Sequence, residues 1–151
     1  MDKDFYSKVS EEIAKYNPTS TMEEVVIVTG SAVSESVVRK LFAGDIYDVE
    51  KFYVVFLNQR NQVIHSFLLS MGGMVGTVVD IRKIFREALI CKATSIILSH
   101  NHPSGQLKPS QADITITQKI KKAGDIMEIK VLDHIIIAGD SFYSFADNCC
   151  L

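Results

Sequence analysis

An apolar run, Thr94 to Leu98, leads almost directly into His100-Asn101-His102, and a connection rich in proline and glycine then opens a stretch of helical periodicity at Ser110. That order dictates a strand, a turn and a helix in succession. Side chains along a strand alternate between faces, so His100 and His102 project from the same one. Asp113 lies three residues beyond Ser110, in the first turn of the expected helix, where a carboxylate can turn back toward both imidazoles. The spacing His-x-His-x7-Ser-x-x-Asp thus offers three nitrogen and oxygen ligands and leaves one place open. Catalytic zinc uses such a set, whereas structural zinc is usually closed by four ligands rich in cysteine.

The remaining segments supply elements around this unit. Phe5, Val9, Ile13 and Tyr16 recur at helical spacing within residues 2 to 16, and Asn17-Pro18 ends that segment. Val25 to Val28 reads as a short strand, and Ser34 to Phe42 as a helix stopped by Gly44. Phe52 to Leu57 and Val63 to Leu69 are β-rich runs joined by Asn58-Gln59-Arg60-Asn61, whose amides suit a tight turn, so a hairpin is expected. Asp80 can cap a helix from Ile81 to Cys91 that buries Ile81, Ile84, Phe85, Ala88 and Leu89. Strand Ser95 to Ser99 delivers the histidines, and a helix over Ser110 to Gly124 takes Ser110 as its cap with Asp113 three residues on. Strands near Val131 to Ile137 and Phe142 to Ser144 follow. No repeat or linker divides the chain, and this alternation with two hairpins implies an α/β (α+β) layered domain built on a mixed sheet.

Composition narrows the function classes. With 151 residues, 47% hydrophobic and 23% charged, the chain suits one domain with a full core. A formal charge of −2 and a pI near 6.1 exert no global pull on phosphate, so nucleic-acid binding would need a local patch. No apolar run is long enough to cross a bilayer, and the opening Met-Asp-Lys-Asp-Phe-Tyr lacks the layout of a secretion signal, so a cytoplasmic protein without a membrane partner is expected. Cys91 and the adjacent Cys149 and Cys150 suit a reducing compartment, and none belongs to a Cys-x-x-Cys zinc pair.

Each candidate residue has a bland alternative. His100 and His102 could be strand-end side chains satisfied by backbone carbonyls, but two on one face followed by Ser110 and Asp113 favour a metal. Asn101 must face the other way and is expected to bond the following loop. Ser110 is a helix cap, worth about 1 kcal/mol, or a catalytic hydroxyl, and the roles are compatible. Pro103, Gly105 and Pro109 read as turn chemistry. Hydrolysis also needs a carboxylate to move a proton; Glu50 before the first hairpin strand and Glu87 on the helix before the histidines both qualify, and spacing does not choose. Asp133 and His134, adjacent in a strand, face opposite sides, and His134 is expected to support the site or the core instead of binding metal.

His100, His102, Ser110 and Asp113 match the motif of the JAMM (MPN-plus) metalloproteases. The longer text Ser99-His100-Asn101-His102-Pro103-Ser104-Gly105 with Pro109-Ser110-x-x-Asp113 resembles the RadC-like branch, as do Glu50-x-Phe52, Phe56-Leu57-Asn58, Arg82, Phe85, Ala88-Leu89, Leu132 to Ile137 and Tyr143-Ser144. The resemblance implies a JAB/MPN domain over residues 49 to 151, a mixed sheet flanked by helices and similar to the cytidine-deaminase architecture, with residues 1 to 48 as an N-terminal helix and strand extension packed on it. It implies zinc on His100, His102 and Asp113, an oxyanion held by Ser110, and Glu50 as general acid/base, with Ser99, Asn101 and His134 in supporting positions. The chain departs from the pattern where Asp80-Ile81-Arg82-Lys83 stands in place of His-Pro-Arg-Glu. The residues before Glu50 are also too few and too differently patterned to supply all of the helix-hairpin-helix region of full-length RadC proteins, so a short, stand-alone relative is expected.

Three readings follow. A zinc hydrolase of peptide or isopeptide bonds uses every residue of the constellation. A DNA-repair-associated or nuclease-like factor draws on the family's name and on Lys119, Lys121 and Lys122, which read equally as a solvated helix face. A metal-holding interaction module without turnover is the third.

Overall fold

The computed structural model describes residues 25–43, 46–72 and 78–151. The helix expected over residues 2 to 16, its Asn17-Pro18 end and the Gly44 stop lie outside the described residues. Helix α1 spans Ser31–Phe42, α2 Ile81–Ile90 and α3 Gln111–Met127. The strands are β1 Lys51–Leu57, β2 Val63–Met71, β3 Ser95–Asn101, β4 Lys130–Ala138 and β5 Ser141–Ser144.

Local chemistry explains the elements. Between β1 and β2 the Asn58 side-chain oxygen accepts from the backbone N–H groups of Arg60 (2.9 Å) and Gln62 (3.1 Å), and Asn61 takes a left-handed φ of 55° that asparagine tolerates. The hairpin forms as expected. Asp80 caps α2 by accepting from the backbone N–H of Arg82 at 3.1 Å. Ser110 caps α3 through a complete capping box with Asp113.

The strands form one sheet of order β2-β1-β3-β4-β5. Every neighbouring pair is antiparallel except β3 and β4, which run parallel, so α3 is the crossover between them. The mixed α+β sheet is therefore as expected. Alternation gives each sheet face its own core. Phe52, Val54, Phe56, Ile96 and Leu98 pack with Ile84, Phe85 and Ala88 of α2 and Ile120 of α3. Val55, Leu57, Ile97, Ile135 and Ile137 pack with Val38 and Phe42 of α1. Arg39 of α1 also donates to the carbonyls of Gly139 (2.8 Å) and Ser141 (3.3 Å), holding the β4–β5 turn against the helix. Strand β3 is buried along its whole length. No helix among the described residues is long and apolar enough to cross a membrane.

Three expectations need correction. Val25 to Val28 makes only an isolated bridge, Ile27 to Gln62, where it meets the start of β2, and is too briefly paired to be a strand. On α2 Leu89 is 58% exposed while Glu87 is buried, because the stripe runs through Ile84 and Ala88 toward positions 87 and 91 and away from 89. Helix α3 continues past Gly124 and stops at Glu128, whose φ of 56° is left-handed. Gly124 serves close approach instead: a Cβ there would lie 2.4 Å from the backbone oxygen of Ile129.

Candidate metal centre

His100 and His102 leave the C-terminal end of β3 on the α3 face, and the capping box sets Asp113 in the first turn of that helix. The two imidazole Nε2 atoms lie 2.9 Å apart. Asp113 Oδ1 is 3.3 Å from His100 Nε2, and Oδ2 is 3.5 Å from His102 Nε2. Among the described residues these three form the group able to hold a metal ion, with ligand atoms all within 4.8 Å of one another.

Hydrogen-bond polarity decides what the two Nε2 atoms present. The Thr117 hydroxyl donates to the Asp113 carbonyl at 2.6 Å, since a carbonyl only accepts. Its oxygen must then accept from His134 Nδ1, also 2.6 Å away. A neutral His134 so protonated offers a bare Nε2 to His100 Nδ1 at 2.7 Å, and His100 must donate. In a neutral His100 this leaves Nε2 as a lone pair. His102 reaches the same state by a shorter route, because its Nδ1 donates to the Gln106 carbonyl at 2.6 Å. Gly105, at φ 79°, makes the turn that brings this carbonyl round. With both imidazoles neutral, two lone pairs converge on a carboxylate, an arrangement that repels itself unless a proton or a metal cation lies between them. The residues fit a metal ion.

Electrostatics agree. Burial opposes ionisation of Asp113, but hydrogen bonds from His100, His102 and Ser110 outweigh it and hold its carboxyl well below the ordinary range. The Asp113 hydrogen bond raises His102 against the desolvation that would lower it. Burial, with the neighbouring His100 charge, pushes His134 well below the usual imidazole value and so keeps it neutral. Phenyl rings wall the site: Phe52 stacks on His100 at 5.8 Å and Phe145 on His134 at 4.7 Å.

The other predicted residues fall as follows. Phe52 pairs with His100 across β1 and β3. Continuing that register brings Glu50 opposite His102, where its charge also favours the protonated imidazole. Glu87 lies on α2, where its charge acts on His65. Ser110 donates its hydroxyl proton to Asp113 Oδ2 at 2.6 Å and accepts from the Asp113 N–H at 3.1 Å, so the cap also orients the carboxylate. Asn101 faces away from the imidazoles, but its partners are not in the following loop. Its oxygen accepts from the Lys51 N–H (2.7 Å) and its amide donates to the carbonyls of Ile46 (2.8 Å) and Val49 (2.9 Å). The correction has a topological cause: on the α1 face, the chain entering β1 passes closer than the loop leaving β3. Ser99 is buried, and its hydroxyl has no hydrogen-bond partner among the described residues. His134 sits between His100 and Thr117. Asp133 points elsewhere, accepting from the Ser144 hydroxyl (2.6 Å) and the Ala146 N–H (3.0 Å), with its pKa raised by burial. Sequence reading missed Thr117, although it stands one helical turn after Asp113.

A mixed sheet whose central strand ends in His-x-His, answered by an aspartate from the capped crossover helix, defines a JAB-type domain with a His-His-Asp group. The chain belongs to the RadC-like JAB domain family, whose pattern matches residues 22–150. A UPF0758 protein of Flavobacterium johnsoniae is 55% identical over 99 residues, which are 66% of this chain and 43% of that one. A UPF0758 protein of Haemophilus influenzae is 46% identical over 102 residues, 68% of this chain and 46% of its own. The UPF0758 protein YfjY of Escherichia coli K12 is 44% identical over 99 residues, 66% and 62% of the two chains. The chain thus aligns with less than two thirds of the length of each of these relatives.

Proposed function

We propose that this domain is a zinc-dependent hydrolase of amide bonds, with a peptide or isopeptide as substrate. The observation that carries the reading is the convergence of two imidazole Nε2 atoms and the Asp113 carboxylate, each imidazole having its other nitrogen hydrogen-bonded elsewhere. His100, His102 and Asp113 would hold the metal. Zinc in such a set supplies Lewis acidity toward a carbonyl oxygen and lowers the pKa of water.

The chain's own residues divide the remaining work. Glu50, opposite His102, takes the proton of the attacking water and returns it to the departing nitrogen, so the C–N bond breaks with a neutral amine leaving. The Ser110 hydroxyl lies at the mouth of the site, and turning its proton from Asp113 Oδ2 to the oxygen that gains charge gives the oxyanion a donor. No observation favours nucleic acid as the alternative substrate; Lys121, one of the three lysines that raised it, pairs with Asp125 at 3.7 Å.

The test begins with metal content. Protein purified without chelator should carry about one zinc per chain, and His102→Ala should lose it. Glu50→Gln should keep its zinc while losing hydrolysis of peptide or isopeptide substrates by about 10²- to 10⁴-fold. A wild-type protein that takes up no zinc ends the hydrolase reading. Equal hydrolysis by wild type and Glu50→Gln removes Glu50 from it.

A further inference from the structure

We propose that Thr117 and His134 are positioning residues that set which nitrogen of His100 carries the proton, keeping Nε2 open as a metal ligand. The inference deepens the zinc reading and rests on it for what Nε2 faces.

The two imidazoles of the site are fixed by different means. His102 donates to a backbone carbonyl, Gln106, which has no other polarity to offer. His100 donates to another imidazole, and an imidazole can present either a lone pair or an N–H. The choice made by His134 therefore passes to His100. With its Nδ1–H on the Thr117 oxygen, His134 offers a bare Nε2 and draws the His100 proton to Nδ1. With the opposite tautomer, His134 would donate from Nε2 to His100 Nδ1, and the His100 proton would move to Nε2, between the ligands.

What prevents the reversal is a one-proton constraint. Thr117 Oγ1 lies 2.6 Å from both the Asp113 carbonyl and His134 Nδ1. Its single proton is claimed by the carbonyl one helical turn back, so only a lone pair remains for His134. Thr117 and His134 are both 0% exposed, so water does not supply a competing partner. The backbone of the helix that contributes Asp113 thereby dictates, through two side chains, the protonation of a ligand on the strand.

The test uses the full chain. Thr117→Val keeps the side-chain shape and removes the hydroxyl, and Thr117→Ser restores it. His134→Phe removes both ring nitrogens and keeps a ring beside Phe52 and Phe145. Two quantities are read: the zinc dissociation constant by competition with a chromophoric chelator, and the His100 tautomer from long-range proton–nitrogen spectra of the metal-free protein. In the wild type His100 should have Nε2 unprotonated. Thr117→Val and His134→Phe should show His100 in mixed tautomers and bind zinc about 10- to 100-fold more weakly, and Thr117→Ser should return both readings to wild type. A merely structural role for Thr117 leaves the tautomer of a folded variant unchanged. The proposal is overturned if both disruptive variants keep the wild-type tautomer and zinc affinity, or if wild-type His100 carries its proton on Nε2. Because the tautomer is read without metal, a wild-type protein that binds no zinc defeats the hydrolase reading while the proton order is still decided.

Discussion

At the scale of single residues the site is governed by where protons sit. The hydrogen bond to Asp113 raises the His102 pKa, so the metal-free imidazole keeps its proton at a higher pH than a free histidine does. A metal ion bound there would have to displace that proton, and the sign follows: binding would release a proton, and affinity would fall as pH is lowered, starting above the ordinary imidazole range. Calorimetry in buffers of different ionisation enthalpy should give a heat that varies with the buffer near neutral pH; a heat independent of buffer counts against the displaced proton. His100, His102 and Asp113 were legible in the sequence because strand alternation and cap position are local rules. Spacing did not choose between Glu50 and Glu87, which only the resemblance separated, because their placement depends on the register of β1 against β3, set by long-range pairing. His134 was expected in a supporting position, but its partner Thr117 escaped for the same reason: their contact joins a helix to a strand that follows it.

Elements were legible to the extent that their ends carry side-chain signals. Asp80 and Ser110 announce the starts of α2 and α3, and both cap as their chemistry requires. The end of α3 carries no such signal, since Glu128 adopts a left-handed conformation that glycine usually takes. The glycine that looked like the stop is held by packing. Replacing Gly124 by alanine would ordinarily favour a helix by about 1 kcal/mol. Here the added methyl meets a backbone oxygen at 2.4 Å, and that atom moves only if the start of β4 moves with it. The clash should win, and Gly124→Ala should lose about 1 to 3 kcal/mol of stability. Urea unfolding followed by circular dichroism checks it, and a variant as stable as wild type or more so refutes the close approach. The buried stripe of α2 was read one position off for a related reason: apolar identity placed Leu89 inside, but the phase of the helix against β1 and β2 turns it to solvent.

Across the whole molecule, the strands and their alternation could be read from the chain, but their order could not. That β3 lies between β1 and β4 follows from which apolar faces find each other, and the site depends on that order. Because β3 has a paired neighbour on each side and is buried throughout, its backbone amides open to solvent only when the sheet itself comes apart. The first turn of α3, by contrast, rests on its cap at an exposed end. Hydrogen exchange should therefore be slowest over Ser95–Asn101 and measurably faster over residues 111 to 114 of the metal-free protein; equal rates in the two segments would contradict this division. The group that would hold the metal thus joins two parts of the molecule with different lifetimes. His100 rides on the segment that lasts as long as the fold, His102 follows it directly with its N–H on the Ile137 carbonyl, and the third member rides on a turn that can come and go by itself. Release of a bound ion then need not await unfolding: it can begin when a single helical turn loosens and carries Asp113 away, leaving two histidines in place to receive the next ion.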